Sequence, residues 1–156
     1  MQYKKQRLLG WYYFISNEAR KLDKDKCGKW MYFFDNQELA IELCEKAMKE
    51  NVCYECKCTD MAGQRVRTGV LCFYLNSDDI SQHKSVIRFM LDNQLIKRTK
   101  NGKYFNLSFK YNNQTLAGEY GDDFEGKIKL NEFIDLDTGE FIDFTDNQMK
   151  IDDILH

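Results

Sequence analysis

The pattern of apolar and polar positions is clearest between residues 69 and 91. Residues 70–75, Val-Leu-Cys-Phe-Tyr-Leu, form an unbroken apolar run of strand length, rich in β-formers. That run predicts a strand buried on both faces. Ser77 stands where a helix N-cap accepts a backbone N–H, and Asp78 and Asp79 suit the positive end of a helix dipole. Ile80, Ile87, Met90 and Leu91 fall on one helical face. The stretch therefore reads as a central strand feeding a helix that packs back on its own sheet.

The same reading extends along the chain. Residues 8–15 are aromatic and β-prone, and predict a strand. Residues 17–27 are highly charged and predict a loop or a frayed helical turn. Gly28 opens a second strand over residues 29–34. Asp35 and Glu38 have the spacing of a capping box, and residues 36–49 carry Leu39, Ala40, Leu43, Cys44 and Ala47 on one stripe. Residues 52–59 predict a third strand, and 60–67 a basic, turn-rich connection. Asn101-Gly102 is a turn signal, and residues 103–111 alternate, with Phe105, Leu107 and Phe109 on one side. Residues 127–134 and 140–144 predict a hairpin around Asp137-Thr138-Gly139. Short links between consecutive strands favour antiparallel pairing. The expected fold is α+β: a curved, mainly antiparallel sheet with two main helices on one face.

Composition narrows this picture. At 156 residues, 43% hydrophobic and 14% aromatic, the chain suits one domain with a real core, spanning 1–156. No apolar run approaches the roughly 20 residues of a membrane span, and the basic start lacks a cleavage site. Six cysteines without a secretory signal point to free thiols and a cytoplasmic setting, and the lack of a spanning run leads to no expected membrane partner. Residues 1–30 carry eight Lys/Arg against three Asp/Glu, while 119–156 carry three against twelve, which orients the field of the molecule. Residues 145–156 read as an acidic tail or a short docked helix.

Several segments together resemble the family known from the basophilic-leukaemia-expressed protein and its microbial relatives, labelled phosphothreonine lyase domain proteins. They are Gly28-Lys29-Trp30-Met31, residues 53–58 with Lys57, Val70-Leu71-Cys72-Phe73-Tyr74, and the stretch 109–120 with its Lys110-Tyr111, Thr115, Gly118 and Tyr120. The likeness spans residues 10–121 in order and leaves 122–156 unmatched. It implies a fold like that of the cap-binding translation initiation factor, with helices on the convex side of the sheet and a concave side free for a ligand.

Alternation within the strands suggests what that side carries. Lys57 and Glu55 lie opposite Cys56 and Cys58; Trp30, Tyr32 and Phe34 share one face, as do Trp11 and Tyr13. Aromatic planes beside lysines are what a nucleotide needs, stacking for the base and charge for the phosphate. Arg65 and Arg67 can add a phosphate fork. The candidate ligand residues are Trp11, Trp30, Lys57, Arg65, Arg67, Lys110 and Tyr111. The alternative is that these aromatics are core and the lysines its rim. Cys53-x-x-Cys56-x-Cys58 lies inside an expected strand, with Cys53 pointing away from the other two, so it reads as structural thiols and not as a zinc site. His83 sits near the apolar stripe of its helix, and a role there in packing is expected. Asp122, Asp123 and Glu125 read as a solvated turn.

No phosphate-cradling loop, nucleophile elbow or metal helix is present in the sequence, and no catalytic residue, metal or cofactor is expected. The expected function is a small binding protein that holds a nucleotide, a nucleotide-derived signal or a phosphorylated group. A sequestering protein of phage or accessory origin fits that size. Two alternatives stand beside it. One is an anti-defence or regulatory inhibitor whose acidic C-terminal surface covers a nucleic-acid-binding partner. The other is a phosphate-acting lyase with Lys57 or Lys110 as base and His83 as acid.

Overall fold

A computed structural model of the chain describes residues 2–112 and 128–142. The expected acidic tail at 145–156 and the acids Asp122, Asp123 and Glu125 lie outside them.

The aromatic stretch near the start is two strands, β1 (Tyr3–Leu8) and β2 (Trp11–Ser16). Leu9 and Gly10 between them both have positive φ, +51° and +85°, the signature of a two-residue type I′ hairpin turn. Next come a 3-10 turn (Ala19–Lys21) and β3 (Cys27–Phe34), followed by helix α1 (Gln37–Lys49). The cap of α1 is Asn36, whose side chain accepts from the Leu39 N–H, one residue past the expected Asp35. Strand β4 (Glu55–Thr59) leads into a one-turn helix α2 (Met61–Gln64), then β5 (Gly69–Asn76) and helix α3 (Ile80–Asp92). Asp79 caps α3 through the Gln82 N–H, in place of the expected Ser77. The reason is a tight turn in which Asp79 N–H donates to the Asn76 carbonyl, which places Ser77 outside the helix.

Residues 103–111 form less of a strand than their alternation suggests. Only β6 (Lys110–Tyr111) joins the sheet. Tyr104, Phe105 and Phe109 instead donate to the carbonyls of Leu136, Lys97 and Ile128, so neighbouring loops satisfy this backbone. Of the expected hairpin over 127–134 and 140–144, the described residues show a 3-10 turn (Leu130–Glu132) and an Ile134–Phe141 bridge.

The six strands make one open, wholly antiparallel sheet in the order β1-β2-β4-β5-β3-β6. Its register sorts the side chains cleanly. Phe14, Cys56, Phe73 and Trp30 form one row across four strands, and Tyr12, Cys58, Leu71 and Tyr32 form the next. These rows belong to a single core with Ala40, Leu43, Ala47 and Met48 of α1 and Val86, Ile87 and Met90 of α3. The two long helices therefore lie together on one face, as expected, and that face is the one carrying Trp30. The α+β class, the antiparallel sheet and the one-sided helix layer are all present.

Candidate ligand-binding face

The opposite face of the sheet follows from the same register. One row runs Gln6–Tyr13–Lys57–Cys72–Met31, and its neighbour runs Lys4–Ile15–Glu55–Tyr74–Lys29–Lys110. The connection between β2 and β3 walls one end. Leu22 packs on Cys27, Cys72 and Tyr74, while Asn76 donates to the Lys21 carbonyl and accepts from the Asp23 N–H.

Lys57 is the centre of this face. Its Nζ stands 3.9 Å from the centroid of the Trp11 ring, 5.7 Å from Tyr13 and 5.9 Å from Tyr74. Lys29 approaches Tyr74 from the other side at 5.8 Å. No carboxylate among the described residues comes within ion-pair distance of Lys57. Burial holds the Lys57 ammonium below the usual lysine range; Lys29 adds to this, and Cys72 and Glu55 oppose it. Burial likewise lifts the Glu55 carboxyl above its usual range, against the pull of Lys57. The face therefore offers a half-buried cation bracketed by rings, with two further lysines near β6.

The seven candidate residues separate in space. Trp11, Lys57 and Lys110 share the open face. Trp30 does not: it is fully buried on the helix side, where its Nε1 donates to His83 Nδ1 at 3.0 Å. Tyr111 pairs with Gly28 and packs on Phe109, so it also lies on the helix side. The strand alternation groups Trp30 with Tyr32 and Phe34 correctly, but that group belongs to the core. Arg65 and Arg67 are exposed on the connection between α2 and β5, off the strands. Lys29, Tyr13 and Tyr74 complete the open face. Their signal in the sequence is that Lys29 alternates with Trp30 and Tyr74 with Phe73.

His83 is buried within the helix layer. Its Nδ1 accepts from Trp30, so its Nε2 carries the proton and donates to the Ser77 carbonyl at 2.8 Å. Phe109 and Phe133 flank the ring at 4.9 and 4.8 Å. Burial holds its pKa below the usual histidine range, against the Ser77 carbonyl and nearby acids. Both nitrogens are engaged, and the sheet separates them from Lys57. A Lys57–His83 base and acid pair is therefore not assembled.

The thiols also rearrange. Cys53 precedes β4, so strand alternation does not govern it. Its sulfur meets that of Cys56, while Cys56 and Cys58 reach Cys44 on α1. All six cysteines are free and buried. Among the described residues no group of three or more His, Cys, Asp or Glu is placed to hold a metal ion.

No family model matches the chain, and no curated protein or solved structure matches it. The resemblance to the basophilic-leukaemia-expressed family rests on the segments quoted for it.

Proposed function

We propose that this chain is a non-catalytic binding module whose open sheet face holds a nucleotide, a nucleotide-derived signal or another phosphorylated group. The observation that carries the reading is the Lys57 ammonium among Trp11, Tyr13 and Tyr74, with no ion-pair partner among the described residues and with Lys29 and Lys110 on the same face. A planar base exchanges with the lysine over the Trp11 ring, and the released ammonium turns to the phosphate. Lys29 and Lys110 extend the positive field toward β6. The implied likeness to a cap-binding fold agrees with this use of a bare sheet face.

The test is a thermal-shift screen against mono-, di- and cyclic nucleotides, cap analogues and phosphopeptides, repeated on Lys57→Met and Lys110→Ala. A ligand at 100 times its Kd adds about 2.7 kcal/mol of stability. The expected result is a shift that Lys57→Met removes and Lys110→Ala reduces. A panel with no shift, or a shift untouched by Lys57→Met, overturns the reading.

A further inference from the structure

The β1–β2 turn carries a residue that the fold itself disfavours. Leu9 is 88% exposed and holds a φ of +51°, in the left-handed region where a side chain with a Cβ is strained. At this position of a type I′ turn Asn, Asp and Gly are preferred. A leucine here gives up backbone stability and recovers little through packing within the chain.

Leu9 is also part of a concentrated patch. Of the six exposed large hydrophobics among the described residues, three gather at this end: Leu8 at 47%, Leu9, and Val66 at 40%. Val66 follows the short helix α2, which is tied to the turn. Gln64 Nε2 donates to the Gly10 carbonyl at 2.8 Å, and the same carbonyl accepts from the Asp60 N–H. Arg65 and Arg67 flank Val66, both exposed, with no ion-pair partner among the described residues. Arg7 stands beside the turn, its charge shared with Asp60 at 2.7 Å.

We propose that this hairpin tip is a reversible docking point for an anionic lipid surface. Leu8 and Leu9 enter the interface, and Arg65 and Arg67 meet the headgroup phosphates. A protruding apolar tip with cations on its flanks complements a surface that is negative outside and apolar beneath. A nucleic acid matches the arginines but leaves the leucines in water. Peripheral contact needs no spanning helix, and none of the described helices is long and apolar enough to be one. With so few inserted residues the contact is weak and salt-sensitive. This inference is independent of the ligand proposed for the sheet, but the two surfaces adjoin, since Leu8 pairs with Trp11.

The test is co-sedimentation with vesicles of phosphatidylcholine alone and of phosphatidylcholine with phosphatidylserine, at low and high salt. Tryptophan emission is followed alongside, because Trp11 lies by the tip while Trp30 is fully buried. Binding is expected only to the serine-containing vesicles, with a blue shift, and is lost in high salt. The double variant Arg65→Gln, Arg67→Gln weakens it roughly thirtyfold. Leu9→Asn weakens it roughly fivefold. Yet Leu9→Asn also raises the melting temperature, because Asn suits the turn, and this separates lost docking from lost folding. The proposal is overturned if no vesicle binds, if Leu9→Asn binds as well as the parent, or if Leu9→Asn lowers the melting temperature. A protein partner for this tip would appear as the first of these outcomes.

Discussion

The two tryptophans occupy opposite faces of one sheet, and each meets a basic side chain in a different way. Trp30 is fully buried and donates its N–H to His83, whose other nitrogen is tied to a carbonyl. Trp11 is half-buried and presents its ring face to the Lys57 ammonium at 3.9 Å. On the helix side the basic group is kept neutral and both its nitrogens are satisfied. On the open side an ammonium lies among rings, with no carboxylate at ion-pair distance among the described residues. The first arrangement spends its polarity inside the fold; the second leaves polarity for something outside it. An aromatic beside a base is thus a packing device or a recognition device, depending on whether a second layer closes over it.

Stability measurements put the sharpest strain on this contrast. Trp30→Ala is expected to cost about 3–5 kcal/mol, because it opens a cavity and strips His83 of its donor. Trp11→Ala is expected to cost about 1 kcal/mol, since its ring is already partly in water. Chemical denaturation of the two variants decides the matter, and equal losses would break the comparison.

Acid titration gives the next largest effect. His83 has a folded pKa below its unfolded value near 6.5, so the unfolded chain binds the extra proton first. Stability is therefore full above about pH 6.5 and falls as pH drops from there through the folded pKa. A plot of melting temperature against pH between about 7 and 5 should slope in the parent and flatten in His83→Phe. An unchanged slope in that variant would show that His83 is not the group responsible.

The smallest expected effect lies on the open face. Lys57→Met removes a charge that burial already disfavours and leaves an apolar stem among the rings. Its stability should stay within about 1 kcal/mol of the parent, even though it is the substitution expected to abolish ligand binding. A large loss would make Lys57 a structural cation and draw the two faces closer in kind.

Much of this architecture was legible from period alone. The two long helices, β3, β5 and the pairing of Trp30 with Tyr32 and Phe34 follow from alternation and from the 3.6-residue stripe, whereas each helix cap falls one or two residues past the expected one. Which side of a strand the helices take does not follow. Both sides of β3 and β5 carry aromatic or apolar residues, so Trp30 and Trp11 are equivalent in the sequence. The β1–β2 turn was hidden because Leu9 is not a turn residue by chemistry, and the apolar run passes through it without a break. The segment after Gly102 alternates well, but its backbone partners are distant loops that no local pattern reveals. Tyr74 was masked by the uniform hydrophobicity of β5, and Lys29 by its neighbour Trp30.

The strand order has a consequence in time. β5 alone joins β1-β2-β4 to β3-β6, and β3 is made long before the strand it must pair with, as in Trp30 opposite Phe73. The β1–β2 hairpin can close locally within microseconds, whereas β3 waits on a long loop closure with its larger entropic cost. The lysines of β3 and β6 thus reach the rings of β2 last. During synthesis the open face exists as a surface only after β5 has left the ribosome, so an incomplete chain presents Trp11 without Lys29 paired into the same sheet.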